Sequence, residues 1–134
     1  MTSIEVVSTG TFSTENRSWI NGKHGQDLTP SITLDLSKFV AGTHYPNGYI
    51  PSGIVLGKIT ATGLYAPMLA ASTDGSQTAA GHLFSSVKVS AGQTKVGSAL
   101  FVHGWVNEAR LPANHGLTAA ARTALSKILY TDKV

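Results

Sequence analysis

The sequence predicts a mainly β chain with one C-terminal helix (α+β), a small barrel-like body preceded by an extended N-terminal arm. Three observations carry this. Between residues 50 and 111, short apolar runs are cut at regular intervals by turn residues, the grammar of a small barrel or folded sheet. Over 117–129 the apolar residues fall instead at three- and four-residue intervals, one stripe of a helix. Ahead of both, residues 1–48 hold a single alternating segment among many turn residues. The predicted division is therefore an arm and strand over 1–48 and a compact β-rich domain over 49–134.

Taken in order, Ile4, Val6, Val7 and Phe12, interleaved with Thr9 and Thr11, favour extended backbone up to about residue 14. Residues 15–30 are polar, with turn signals at Asn21-Gly22 and His24-Gly25 around an isolated apolar pair, Trp19 and Ile20. Residues 31–36 alternate strictly, Ile32, Leu34 and Leu36 against Ser31, Thr33 and Asp35, as a half-buried strand requires. Gly42, Pro46, Asn47-Gly48, Pro51 and Gly53 make 41–53 a looping connection. Apolar runs follow at 54–59, 64–71, 79–89 and 96–106. The sharpest turn signal is Asp74-Gly75, where Asp bonds its own backbone and Gly takes positive φ without steric cost. Pro112 closes the strand region, and Asn114 or Thr118 caps the helix predicted over 117–129.

The 134 residues, 42% of them hydrophobic, fill one core and not two. Charged residues make up 13%, about half the usual share, and a surface so poor in charge suits a chain covered by partners. The ten Lys and Arg against seven Asp and Glu give +3, but the cations lie singly. That spread predicts a solvated surface and no direct nucleic-acid partner. With no Cys there is neither disulfide nor thiolate metal site. The N-terminus lacks a signal-peptide pattern, and no apolar run nears the ~20 residues that span a bilayer. The expectation is a soluble chain made in the cytoplasm, with no membrane partner.

Catalytic patterns are missing in the same way. The Gly-flanked nucleophilic Ser is absent, and Gly97-Ser98-Ala99 is half of it. His24, His44, His82, His103 and His115 fall at no compact ligand spacing, so no metal site is predicted. No glycine-rich segment ends in Gly-Lys-Ser/Thr, so phosphate binding is not indicated. Asp27, Asp35, Asp74 and Glu108 have no evident acid–base partner. The expectation is no enzyme and no cofactor, with His82 and His103 satisfied polar groups near a core edge or subunit contact, a pH switch being the alternative, and Trp105 a core or interface aromatic.

Ile50-Pro51-Ser52-Gly53, then Ala71-Ser72-Thr73-Asp74-Gly75 followed by Ala79-Ala80-Gly81-His82-Leu83, then Gly104-Trp105-Val106 leading to Leu111-Pro112, and finally the Ala-rich tail occur in this order. With them the block over 50–129 resembles the lambda-type phage head decoration proteins, small capsid cement proteins. The resemblance implies a β-tulip fold and trimers on three-fold sites of an icosahedral head. It further implies a virion location on the capsid exterior, where neighbouring major capsid proteins are clamped against the pressure of packaged DNA, without catalysis. In such proteins the N-terminal arm orders on the capsid and adds a strand to it.

The residues themselves point the same way at the arm, which is long for a leader without a core of its own. Ile4, Val6, Val7 and Phe12 suit backbone pairing with an exposed sheet edge, while Trp19 and Ile20 insert as an apolar anchor; the alternative is a disordered tail or an intramolecular strand. Three linked arms multiply avidity by ~10² or more. The low surface charge predicts a homotrimer, with His82, Trp105, Leu117 and Ala121 as candidates for the subunit interface. The alternative is a small barrel binding module, a virion adhesin gripping a glycan on the host surface or a binder of single-stranded nucleic acid. A hydrolase using Ser98 or another serine with His103 is the third reading.

Overall fold

The computed structural model describes residues 15–131. The alternating segment forms β1 (Ser31–Asp35), with Ile32 and Leu34 buried and Ser31 and Thr33 exposed. It ends where the Asp35 carboxylate accepts the Ser37 N–H and caps a 3₁₀ turn over Leu36–Lys38. The breaker-rich connection holds one helical turn, α1 (Ala41–His44), and a two-residue strand, β2 (Tyr49–Ile50). The first two apolar runs form β3 (Val55–Lys58) and β4 (Tyr65–Pro67). The next two runs each split, into β5 (Ala79–Leu83) and β6 (Val87–Lys88), then β7 (Lys95–Phe101) and β8 (Gly104–Asn107). A second 3₁₀ turn (Glu108–Arg110), α2 (Ala119–Ala124) and β9 (Ile128–Thr131) complete the chain.

The turn at Asp74-Gly75 has the expected chemistry. The Asp74 carboxylate accepts the Ser76 N–H at 3.0 Å and its hydroxyl at 2.5 Å, and Gly75 sits at φ +107°. These two bonds hold the Asp74 carboxyl below its ordinary range. A Cβ on Gly75 would stand 2.3 Å from Thr60 Oγ1 and 2.7 Å from the Lys58 carbonyl, so the turn also requires the absence of a side chain.

Five strands close into a barrel in the order β1-β4-β3-β5-β7. Contacts are antiparallel except β1 with β4. Residues paired across a register share a face, which sorts the side chains into two cores. Ile32, Leu34, Leu56, Leu83 and Leu100 fill the interior with Ile50 and Ile54, so the barrel is packed and holds no channel. On the outer wall, Val55, His82 and Phe101 stand in one row, His82 being paired with both. Over that row lies the second core, made by Trp19, Val106, Ala121, Leu125 and Ile128. The covering layer is the parallel pair β8–β9, with Ile20 bridged to Val106 on the far side of β8.

The fold class is the mainly β one the sequence predicts, with two corrections. The boundary at 48/49 does not separate an arm from a body: β1 pairs over its whole length with β7 and completes the barrel. The helix is also far shorter than 117–129. Thr118 caps it by accepting the Ala121 N–H, but after Ala124 the chain turns. Ile128, Tyr130 and Thr131, β-branched or aromatic, then find a strand partner in β8.

Candidate interaction surface

Segment 15–21 is fixed at two places. Arg17 Nε donates to the Phe84 carbonyl at 3.0 Å, its terminal nitrogen to Ser85 Oγ at 3.1 Å, and its guanidinium lies 4.1 Å from the Phe84 ring centroid. Glu15 pairs with Arg17 and accepts the Ser86 N–H. Further on, the Asn107 N–H donates to the Trp19 carbonyl at 2.7 Å, and the Asn21 N–H to the Trp105 carbonyl at 2.8 Å. Ile20 thus forms a single antiparallel bridge with Val106 beside β8.

Trp19 is the pin of this segment. Its indole is 1% exposed, edge-on to Phe101 and tilted against His82, both at 5.3 Å. Indole Nε1–H donates to Ser52 Oγ at 3.0 Å, and that hydroxyl donates to the Phe84 carbonyl at 2.7 Å. His82 lies between the Gly53 carbonyl and the Tyr130 hydroxyl, each at 2.8 Å. A carbonyl only accepts, so Nδ1 carries the proton, and Nε2 of the neutral ring accepts from Tyr130. Burial drives the imidazole down to about 4 and pushes the Tyr130 phenol up. This network joins the incoming segment, the 50–53 loop, β5 and β9, and every member is satisfied.

The outer face of β8–β9 is different. Trp105 and Leu129 are register partners, 48% and 63% exposed. They form an apolar pair on a sheet face whose opposite side packs on the second core. Exposed aromatic and aliphatic neighbours of this kind are the composition of a protein–protein contact centre. The flank of this layer carries the Arg122–Glu108 pair at 2.6 Å, whose hydrogen bonds hold the Glu108 carboxyl below its ordinary range.

The site residues expected from the sequence part company here. Ile4, Val6, Val7 and Phe12 lie outside the described residues. Trp19 and Ile20, expected to insert into another protein, are instead buried in this chain's own core. Of the interface candidates, His82 and Ala121 are likewise buried inside the chain and Leu117 is half-buried, while Trp105 is exposed. Leu129, the missed partner of Trp105, was hidden because it counted as part of a helical stripe. Ser98 Oγ donates to the Ser85 carbonyl, and the His103 ring lies tilted against His24, so no hydrolytic pair forms between them. Among the described residues, no group of three or more His, Cys, Asp or Glu could hold a metal, and no helix is long and apolar enough to cross a membrane.

A family model described as bacteriophage lambda head decoration protein D matches residues 32–129, from β1 through to β9. No curated protein and no solved structure matches the chain.

Proposed function

This chain belongs to the bacteriophage lambda head decoration family, and from that premise we propose that it is a capsid cement protein without enzymatic activity. It binds as trimers to the outside of a phage head at three-fold sites and stabilises the major capsid shell against internal DNA pressure. The single observation that carries the reading is the family match across barrel and covering layer together. The packed barrel interior and the exposed Trp105–Leu129 pair support it, since they offer a filled body with an apolar contact face. Ile4, Val6, Val7 and Phe12 serve as the capsid-binding arm, joined to the body at the firmly held Glu15–Arg17. Trp19 and Ile20 act as the root of that arm.

The test adds the full chain, or one beginning at residue 15, to undecorated heads of the cognate phage and images them. The shortened chain keeps Trp19 and with it the core. The full chain should fill local three-fold sites and raise the heat resistance of the particle, while the shortened one binds far more weakly. Equal occupancy removes the arm from the mechanism. If neither form binds, the cement reading fails.

A further inference from the structure

Three of the five histidines are engaged. His44 Nδ1 accepts the Val40 N–H, His115 Nδ1 accepts the Leu117 N–H, and both nitrogens of His82 are bonded. His24 and His103, distant in sequence, are the two whose ring nitrogens make no hydrogen bond among the described residues, and they stand side by side, centroids 4.5 Å apart and planes tilted by 50°. His24 is exposed and His103 half-buried, so solvent reaches both.

The backbone beneath the two rings is locked. Gly25, at φ +83°, lies so close to the His103 carbonyl that a Cβ would stand 1.7 Å from its oxygen. Gly104, at φ +142°, meets the His24 carbonyl in the same way, at 2.5 Å. Each glycine admits the backbone of the other histidine, and the rings are held together without any bond between them. This spacing has a chemical meaning. Metal–nitrogen bonds of about 2.1 Å at a right angle place the centroids of two coordinating imidazoles about 4.6 Å apart, close to what is observed.

We infer that His24 and His103 form a two-imidazole site for a borderline divalent transition metal, with water completing the coordination. Imidazole suits nickel, copper and zinc, whereas magnesium and calcium prefer oxygen ligands. An ion there staples the turn at 22–25 to the β7–β8 turn, and so braces the bridged segment 19–21 that carries the arm's root against β8. Nickel binds more tightly than zinc in the usual order, and both weaken on acidification, because metal and proton compete for the same lone pair.

The probe is nickel chloride alone, titrated calorimetrically into the full chain. One saturable ion per chain is expected, with no response to magnesium, and a melting temperature that rises with nickel concentration. His24→Asn and His103→Asn should each weaken uptake about tenfold or more, as loss of one of two ligands requires. In the unaltered protein, nickel should broaden the ring proton resonances of His24 and His103 before those of His44 and His115. Absence of saturable uptake, unchanged uptake in either variant, or earlier broadening at another histidine or at the N-terminal amine overturns the assignment.

Discussion

Replacing Trp19 by Ala separates an anchor for another protein from a piece of this one. The side chain is 1% exposed, and removing a buried Trp costs about 3–5 kcal/mol through lost transfer energy and the cavity left behind. Part of that is the edge-on contact with Phe101, about 0.5–1.5 kcal/mol, and the Nε1–Ser52 hydrogen bond, about 1 kcal/mol. Ser52 loses only an incoming donor, because its own hydroxyl still reaches the Phe84 carbonyl. Against a total stability of about 5–15 kcal/mol, Trp19→Ala leaves the body marginal. Trp19→Phe keeps most of the ring and loses chiefly the hydrogen bond, so about 1–2 kcal/mol is expected. Urea unfolding of the free protein, followed by far-ultraviolet circular dichroism, measures both. If Trp19→Ala unfolds within about 0.5 kcal/mol of the unaltered protein, a spread ordinary for surface changes, the buried packing described for this residue is wrong.

The His82 imidazole titrates near 6.5 when unfolded and at about 4 when folded, so the unfolded state binds more protons between those values. Stability present above pH 6.5 should fall by about 3 kcal/mol as pH drops through 4. His82→Gln should flatten that limb of a urea–pH series, leaving a smaller slope from His44 and His115, which burial shifts in the same direction; an unaltered slope would show that His82 is not its source. Gly75→Ala should lower stability by about 1–3 kcal/mol through strain at positive φ and the approach to Thr60 and Lys58, and a melting temperature equal to the parent's would refute this. Trp105→Ser with Leu129→Ser should leave the free energy of unfolding nearly unchanged but weaken self-association by about 2 kcal/mol or more. An undiminished trimer in sedimentation equilibrium would move the subunit contact elsewhere, and a parent chain that stays monomeric at high concentration would count against the trimer itself.

Local pattern was legible where one rule governed a segment. The alternation in β1 and the Asp74-Gly75 turn each follow from residue type and the nearest neighbours, and both are found in place. Long-range pairing was not legible. Trp19 and Ile20 sit among polar residues, and the strand that buries them comes much later in the chain, so nothing near them announces a core. The apolar spacing from Leu117 onward continues past Ala124 as if helical, yet Ile128–Thr131 obeys its partner β8 in place of that period. His82 was readable as a satisfied polar group, being a lone His in an apolar run. That it bonds on both sides depends on the 50–53 loop and β9, which only the fold assembles.

A ring of five strands has no first and no last member, so each of its strands lies between two neighbours and none is left as an open edge among the described residues. Chains made in quantity and stored side by side run the hazard of lateral polymerisation through such edges. Among the described residues, open edges belong to the two two-stranded sheets: β2 and β6 span two residues each, β6 ending in an exposed Lys88, a charge that discourages strand addition, and β8–β9 spans four. Closure of the ring thus keeps a β-rich molecule dispersed until it meets the surface it is meant to cover.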